Sequence, residues 1–431
     1  MKKTGFEEMW PGITLALIIA AQTLVAAQTL VSAQAISAAE PAADVGTPPP
    51  SPLRFIDTSI ENASPAWWEV AGDGTIRIHL TYDHERSSPN RANGHWLFRV
   101  DAEPGTDLVL SLGPFGNIWN GRPAGPVPEA TISFISDDGE TWRVIKAEPD
   151  EPSRLKLRVH MNGPSLYVAR LEPYTVSRLE QFKSHIVFSS MAATESIGKT
   201  ADGRDLDLIV IGQRDAPHRV FIRARAHAWE PGGNWVVEGL VRRLLRDDEP
   251  ARKCLASYCL FVVPMANKDG VARGRTRFNM KGRDLNRNWD QPADPATAPE
   301  NAAIEAWLDS LRKANRLPDL AIDFHNDADG KLHVGVPEID DGTKAAYLRN
   351  MKRLETLLRE KTWFTEGSTS SSFRNPGTIG EGLLARYGIH AFIHELNANW
   401  IGGLNDYPSS KHWQTYGEQF ADVLLAYFEE Q

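Results

Sequence analysis

The pattern of apolar residues changes near residue 181, and this change constrains the fold more than any other feature of the chain. Before it, short runs such as GTIRIHLTYD and TDLVLSL are separated by turn residues, whereas after it strand-like and helix-like segments alternate. Closely spaced short strands are typical of a β-sandwich, and alternating strands and helices are typical of a sheet covered by helices. We therefore predict an N-terminal antiparallel β-sandwich domain at 54–180. It is followed at 181–431 by an α/β domain with a central mixed sheet flanked by helices.

The second part of the chain contains five segments that read as strands and four that read as helices. The strands are predicted at 207–211, 219–226, 259–263, 319–324 and 390–394. The helices are predicted at 235–246, 299–314, 343–361 and 410–429. The Ser- and Gly-rich segment 365–378 is predicted to be a loop over a site.

The first 53 residues are predicted to lie outside both domains. Two lysines precede a long uncharged apolar run, and Ala-Gln-Ala at 33–35 matches the small-x-small cleavage site of a signal peptide. We therefore predict a signal peptide at 1–35, a flexible Ala- and Pro-rich linker at 36–53, and export to the periplasm or the medium. The alternative is an uncleaved anchor, against which the Gln and Thr residues within the run argue.

Charge and cysteine content exclude several classes of protein. The net charge of −9 and the pI of about 5.8 argue against nucleic-acid or anionic-membrane partners, because both need a basic face. Beyond the N-terminal run, no stretch is apolar enough to span a bilayer. Cys254 and Cys259 are the only cysteines, so the chain is not a disulfide scaffold. In an exported protein the two could pair, and free buried thiols are the alternative. No feature of the sequence indicates an oligomeric state.

Side chains with metal-binding or proton-transfer chemistry stand directly after predicted strands, namely His227, His325 and Glu395. In open α/β sheets, ligands collect outside the carboxyl ends of the strands. Pro231 keeps His227 and Glu230 out of a helix, so a loop can turn both toward one ion. Two histidines and a glutamate are a ligand set of catalytic zinc, with water in the fourth position. Glu395 is then the candidate that takes the proton of this water.

Six segments together make the prediction specific. They are SLYVARLEPYTVSRLEQF, RARAHAWEPGGNWVVEGL, PMANKDGV, TRFNMKGRDLNRNW, DFH and HELNAN. In order and spacing they resemble the zinc metallocarboxypeptidases, and most closely the branch of the cytosolic carboxypeptidases. In that branch a small β-sandwich domain precedes the catalytic domain. The resemblance extends over roughly 54–430.

The resemblance implies one zinc ion per chain, bound by His227, Glu230 and His325. Asp284 would hold the imidazole of His227, since such outer carboxylates fix the orientation of a metal-bound ring. Glu395 would be the general base and then the proton donor to the leaving amine.

The resemblance also implies a substrate, the C-terminus of a peptide or protein. Arg277 would stabilise the oxyanion formed at the scissile carbonyl, and Asn286 and Arg287 would bind the terminal carboxylate. Digestive members of the family carry a substrate-binding tyrosine 22 residues before the catalytic glutamate. That position is Phe373 here, and Tyr387 is the alternative hydroxyl donor.

The leading prediction is an exported zinc exopeptidase that removes a C-terminal amino acid. A zinc amidase acting on cell-wall peptides or small amides is an alternative that depends less on Arg287. An inactive binding protein is a third, against which the complete set of metal ligands with Glu395 argues. The sandwich histidines lack ligand spacing, so this domain is predicted to supply no catalytic group. Trp229 and Trp289 are predicted to be packing residues.

Overall fold

The computed structural model describes residues 51–127, 129–151, 153–371 and 377–429, with only the backbone at 370–371. The predicted signal peptide, most of the predicted linker and Phe373 lie outside the described residues. Among the helices that are described, none has both the length and the apolar character needed to cross a membrane.

The N-terminal part of the described chain is built from strands. They are β1 (Leu53–Asp57), β2 (Ala66–Val70), β3 (Ile76–Leu80), β4 (Asp83–His84), β5 (Arg91–Ala92), β6 (Leu97–Ala102), β7 (Asp107–Gly113), β8 (Asn117–Trp119), β9 (Arg122–Ala124), β10 (Ile132–Ser136), β11 (Arg143–Lys146), β12 (Glu148–Asp150), β13 (Arg154–His160) and β14 (Ser165–Ala169).

These strands form two five-stranded sheets and a small third sheet. The five-stranded sheets have the orders β1-β6-β14-β10-β11 and β12-β13-β7-β3-β2, and the small sheet has the order β4-β5-β8-β9. The pairing is antiparallel as predicted, except that β3 and β7 run parallel. Alternate residues of β3, namely Ile76, Ile78 and Leu80, are buried, so one face of this strand packs into the core of the N-terminal region. The predicted sandwich is therefore confirmed, and the small sheet is an addition to it.

Strands and helices alternate in the rest of the chain. The elements are α1 (Val176–Ile186), β15 (Ala192–Lys199), β16 (Asp205–Ile211), β17 (His218–Ala224), α2 (Gly232–Leu244), α3 (Glu249–Ser257), β18 (Tyr258–Val263), α4 (Lys268–Ala272), α5 (Pro299–Lys313), β19 (Leu320–Asp327), β20 (Leu332–Gly335), α6 (Asp341–Lys361), β21 (Ser368–Ser371), α7 (Ile379–Tyr387), β22 (His390–Asn397) and α8 (Ser410–Glu429).

Eight strands form one mixed sheet in the order β15-β16-β18-β17-β19-β22-β20-β21. The four central strands β18, β17, β19 and β22 are parallel, and β18 is buried along its whole length because helices cover both faces. Helices α2, α6 and α8 contribute to the core on one face, and α5 and α7 to the core on the other. Gly239 of α2 and Gly417 of α8 allow close approach, since a Cβ at either position would overlap the backbone of the facing helix.

All nine predicted strands and helices are present, with ends that differ by three residues or fewer. One difference matters for the site. Strands β19 and β22 continue to Asp327 and Asn397, because the two strands pair with each other as far as these residues. His325 and Glu395 therefore lie within strands and not after them. Cys254 and Cys259 are both buried and free, so the predicted possibility of a disulfide is not realised.

Candidate metal centre and active site

His227, Glu230 and His325 converge at the carboxyl edge of the central sheet. Nδ1 of His227 lies 2.8 Å from one carboxylate oxygen of Glu230, and Nδ1 of His325 lies 2.7 Å from the other. The two Nδ1 atoms are 3.2 Å apart, and all three side chains are buried. Two nitrogens bound to one tetrahedral zinc at about 2.0–2.1 Å would lie about 3.4 Å apart. The donor set and its spacing therefore fit a zinc ion.

A carboxylate holds the far side of each imidazole ring. Nε2 of His227 lies 3.0 Å from Asp284 Oδ1, and Nε2 of His325 lies 2.6 Å from Asp323 Oδ2. A proton on Nε2 leaves the Nδ1 lone pair directed at the metal position. Although burial raises its pKa, the charges of Arg277 and His227 hold the pKa of Asp284 well below its ordinary value. Both rings are therefore held by anions in the orientation that metal binding requires.

Asp284 is the partner of His227 that the family resemblance implies, whereas Asp323 was not among the predicted residues. Asp323 and His325 are two apart in β19 and so point to the same face of the sheet. Asp323 also accepts two hydrogen bonds from the buried Arg223, at 2.8 and 2.5 Å. The alternation of the strand was the signal that would have found it.

Glu395 lies beside the ligand set on the neighbouring strand. It is the register partner of His325 in the parallel pair of β19 and β22. Its Oε2 is buried and has no hydrogen-bond partner among the described residues. Burial raises the pKa of Glu395 well above its ordinary value, and the charges of Asp327 and Glu230 add to this effect against that of His325. The site thus presents, next to the metal ligands, a carboxylate oxygen that no described residue hydrogen-bonds.

Arg277 connects the site to the N-terminal region. Its Nε and Nη2 donate to Asp284 Oδ2 at 2.9 and 2.8 Å. The backbone N–H groups of Arg277 and Phe278 donate to Asp83 Oδ2 at 2.7 and 2.9 Å, and Asp83 belongs to β4 of the small sheet. The guanidinium predicted to face the substrate therefore also fixes the carboxylate that orients His227.

Asn286 and Arg287 lie at the same site, in different situations. Asn286 is buried, its Oδ1 accepts from the backbone N–H of Ile379, and its Nδ2 lies 3.3 Å from His325 Nε2. Its amide is thus engaged at the start of α7. Arg287 is half-buried and donates from Nη1 to the carbonyl of Asn286 at 2.8 Å. Arg287 is therefore the better placed of the two to meet a ligand.

Three further aromatic residues, Trp229, Trp289 and Tyr387, lie in different surroundings. Trp289 is buried, as predicted. Trp229 is half-buried and packs against the main hydrophobic core, as predicted, and it also lines a cleft together with Trp119 and Arg277. Tyr387 lies at the far end of α7 against Arg312 and Arg386, about 12 Å along the helix from Ile379. It is therefore too far from the site to be the alternative hydroxyl donor.

Trp119 of β8 is a site residue that sequence reasoning missed. Its indole ring lies 4.2 Å from the guanidinium carbon of Arg277 and 5.2 Å from that of Arg287, measured to the ring centroid. The dipeptide Asn120-Gly121 is typical of a tight hairpin turn, but it does not indicate what the hairpin contacts. The sandwich region therefore contributes a contact to the site, although no catalytic group is assigned to it.

Comparisons with known proteins agree with this geometry. Residues 180–314 match the family model described as zinc carboxypeptidase. The chain is 36% identical to human cytosolic carboxypeptidase 1 over 112 residues. This aligned segment covers 26% of this chain and 9% of the human protein. It is 25% identical over 227 residues to an uncharacterized protein of Zymomonas mobilis, covering 51% of this chain and 57% of that protein. The chain thus spans less than two thirds of the length of these relatives.

Solved structures share the fold over most of the chain. A metallo-carboxypeptidase from Burkholderia cenocepacia superposes with a TM-score of 0.75 at 20% identity, covering 87% of this chain and 99% of that one. A metallo-carboxypeptidase from Pseudomonas aeruginosa, in complex with (2-guanidinoethylmercapto)succinic acid, gives a TM-score of 0.72 at 21% identity and covers 88% and 100%. Residues 180–314 are therefore a zinc carboxypeptidase domain, and the chain is related in sequence to the cytosolic carboxypeptidases.

Proposed function

We propose that this protein is a zinc-dependent exopeptidase that hydrolyses the C-terminal peptide bond of peptides or proteins. The observation that supports it most is the convergence of His227, Glu230 and His325 beside Glu395, whose buried Oε2 has no hydrogen-bond partner among the described residues. A binding protein has no need of a proton acceptor at such a place. The family of the matched domain supports the same reaction class.

The ligands and their partners would hold one zinc ion per chain. When bound, zinc polarises the scissile carbonyl and lowers the pKa of a coordinated water to roughly 7. Asp284 and Asp323 keep the two imidazoles oriented. Glu395 accepts the proton of the attacking water and returns it to the leaving amine, a role for which its position beside His325 and its buried Oε2 without a hydrogen-bond partner among the described residues suit it.

Recognition of the terminal carboxylate falls to Arg287 in this proposal. The amide of Asn286 is engaged by Ile379 and lies against His325, and two nitrogens of Arg277 are engaged by Asp284. Arg287 donates from Nη1 to a neutral carbonyl, that of Asn286, and is half-buried. A planar guanidinium in that situation suits a carboxylate in a two-point contact.

The metal assignment is tested by elemental analysis of the purified protein. We expect about one zinc per chain and the loss of most of it in His325→Ala, whereas His160→Ala, at an exposed position in β13, should retain it. Full zinc occupancy in His325→Ala would refute the ligand assignment.

A zinc amidase is the second candidate, and the engaged amide of Asn286 is the observation in its favour. With fewer groups available for a terminal carboxylate, the site would hydrolyse amides without requiring a free C-terminus. The two candidates make opposite predictions for the rates of cleavage of two peptides that differ only in C-terminal amidation.

Export from the cell is part of the proposal and rests on the sequence at 1–35. N-terminal sequencing of the protein recovered from the periplasm or medium should begin near residue 36. Recovery of the intact N-terminus from the cytoplasm would contradict export without affecting the proposed chemistry.

A further inference from the structure

The hairpin of β8 and β9 delivers one aromatic ring to the active site. Asn120 and Gly121 connect the strands, and both have positive φ angles, 50° and 71°. Two such residues form the tight turn that suits the twist of a hairpin. Trp119 and Arg122 are therefore register partners directly beside the turn. This geometry fixes the ring position within narrow limits.

The hairpin is tied to the catalytic segment by more than this ring. Asp83 of the same small sheet accepts from the backbone N–H groups of Arg277 and Phe278. The backbone N–H of His95 donates to the hydroxyl of Thr276 at 3.2 Å. Backbone and side chain of Arg277 are thus both held from the sandwich side of the molecule.

Two guanidinium groups contact the same ring, and they carry like charges. Arg277 is paired with Asp284, which contributes a single negative charge against the two positive ones. Burial lowers the pKa of Arg287, and the neighbouring charge of Arg277 lowers it further against the opposing effect of Asp284. An aromatic face attracts cations without adding a carboxylate that would compete with a substrate anion. Trp119 therefore allows both guanidiniums to stay close while one remains available to a ligand.

We propose that Trp119 is a positioning residue that holds the guanidinium group of Arg287, beside that of Arg277, where the substrate's terminal carboxylate is received. This inference rests on the proposed exopeptidase function and deepens it. It makes substrate recognition a property of both regions of the chain. Trp119 itself takes no part in proton transfer.

The test compares Trp119→Leu and Trp119→Phe with wild type on a peptide with a free C-terminus and on its amidated form. The control is Trp67→Leu. Trp67 belongs to β2, is exposed and stacks on His79. Loss of the cation–π contacts should lower kcat/KM for the free-acid peptide about 5- to 30-fold in Trp119→Leu, which corresponds to about 1–2 kcal/mol. The change should be mainly in KM, and the amidated peptide should be much less affected.

The aromatic replacement separates this role from simple packing. Trp119→Phe keeps a ring face and should recover most of the lost kcat/KM, while Trp67→Leu should behave as wild type. Zinc content should be unchanged in all three variants. If Trp119→Leu slows both peptides equally, or slows neither, the positioning role is overturned while the exopeptidase function stands.

A crystal structure of Trp119→Leu provides a readout that does not depend on activity. We expect the guanidinium groups of Arg277 and Arg287 to move apart or to adopt other rotamers, with His227, Glu230 and His325 unmoved. Unchanged positions of both guanidiniums would refute the proposal, even if the wild-type enzyme showed no preference for free-acid peptides. Failure of the positioning role and failure of the proposed function can thus be told apart.

Discussion

The carboxyl edge of the eight-stranded sheet and the small sheet of β4, β5, β8 and β9 border the same site, but they are built for different tasks. The sheet edge presents buried ionisable side chains on parallel strands, with His325 and Glu395 as register partners. The small sheet presents an aromatic ring and a carboxylate that binds only backbone N–H groups at the site. The comparison suggests that proton transfer and metal binding belong to one region, and that both regions share the positioning of the substrate arginines.

The largest expected effect comes from the sheet edge. Glu395→Gln removes the proton acceptor and preserves the shape of the side chain, so we expect kcat to fall about 10²- to 10⁴-fold. Zinc content and thermal stability should remain close to those of wild type. Glu360→Gln, at an exposed position on α6, is the matched control and should be fully active. More than half of normal activity in Glu395→Gln would place the general base elsewhere.

This asymmetry also explains what the sequence could predict. The apolar periods of the long parallel strands identify those strands, and the candidate residues that follow a strand or lie near its carboxyl end, such as His227 and Glu395, can be chosen from that topology. Asp323 was missed although its alternation with His325 was visible in DFH. Trp119 and Asp83 could not have been predicted, because their partners lie more than 150 residues away in sequence and no local pattern encodes how the hairpin meets Arg277. The engaged amide of Asn286 likewise depends on the position of α7.

In the sandwich region, the largest expected effect is on the pH dependence of the free energy of unfolding, through His95. His95 is buried and donates from Nε2 to the carbonyl of Asn62, and burial lowers its pKa to about 4. The unfolded chain takes up this proton near pH 6.5 while the folded chain does not, so stability is present above 6.5 and is lost as the pH falls toward 4. At about 1.4 kcal/mol per pH unit, the loss is about 3 kcal/mol.

Denaturant unfolding of wild type and His95→Gln at pH 7 and pH 4 measures this contribution. The glutamine can donate an N–H to Asn62 but does not titrate, so the variant should lose about 3 kcal/mol less than wild type between the two pH values. His160→Gln, at an exposed position, should lose as much as wild type. Equal losses in wild type and His95→Gln would show that His95 does not remain neutral in the folded protein.

A smaller effect is expected at Asp284, where the two regions meet. Asp284→Asn removes the anion that holds both His227 and Arg277, and loss of such an outer partner typically weakens metal binding 10- to 100-fold. Zinc titration against a competing chelator measures the change. Asp247→Asn, whose side chain is 96% exposed, is the control. Wild-type affinity in Asp284→Asn would mean that the ring of His227 is oriented without this carboxylate.

The smallest effect is a predicted absence of change. His84 and His160 are exposed residues of the sandwich region, and neither belongs to the metal ligands. The double variant His84→Ala/His160→Ala should keep kcat and KM within about twofold, since surface substitutions usually change stability by no more than about 0.5 kcal/mol. A collapse of kcat with the fold intact would assign the sandwich region a part in the chemistry and remove the distinction drawn above.

The central claim is that this protein is a carboxypeptidase whose arginines recognise the negative charge of the substrate's terminal carboxylate. The most direct test compares kcat/KM for a peptide with kcat/KM for its C-terminal amide. A charge-assisted contact contributes about 1.5–3 kcal/mol, so wild type should prefer the free acid about 10- to 150-fold. In Arg287→Ala this preference should mostly vanish, with zinc retained. Equal rates for the two peptides in wild type would contradict the carboxypeptidase function and favour the amidase.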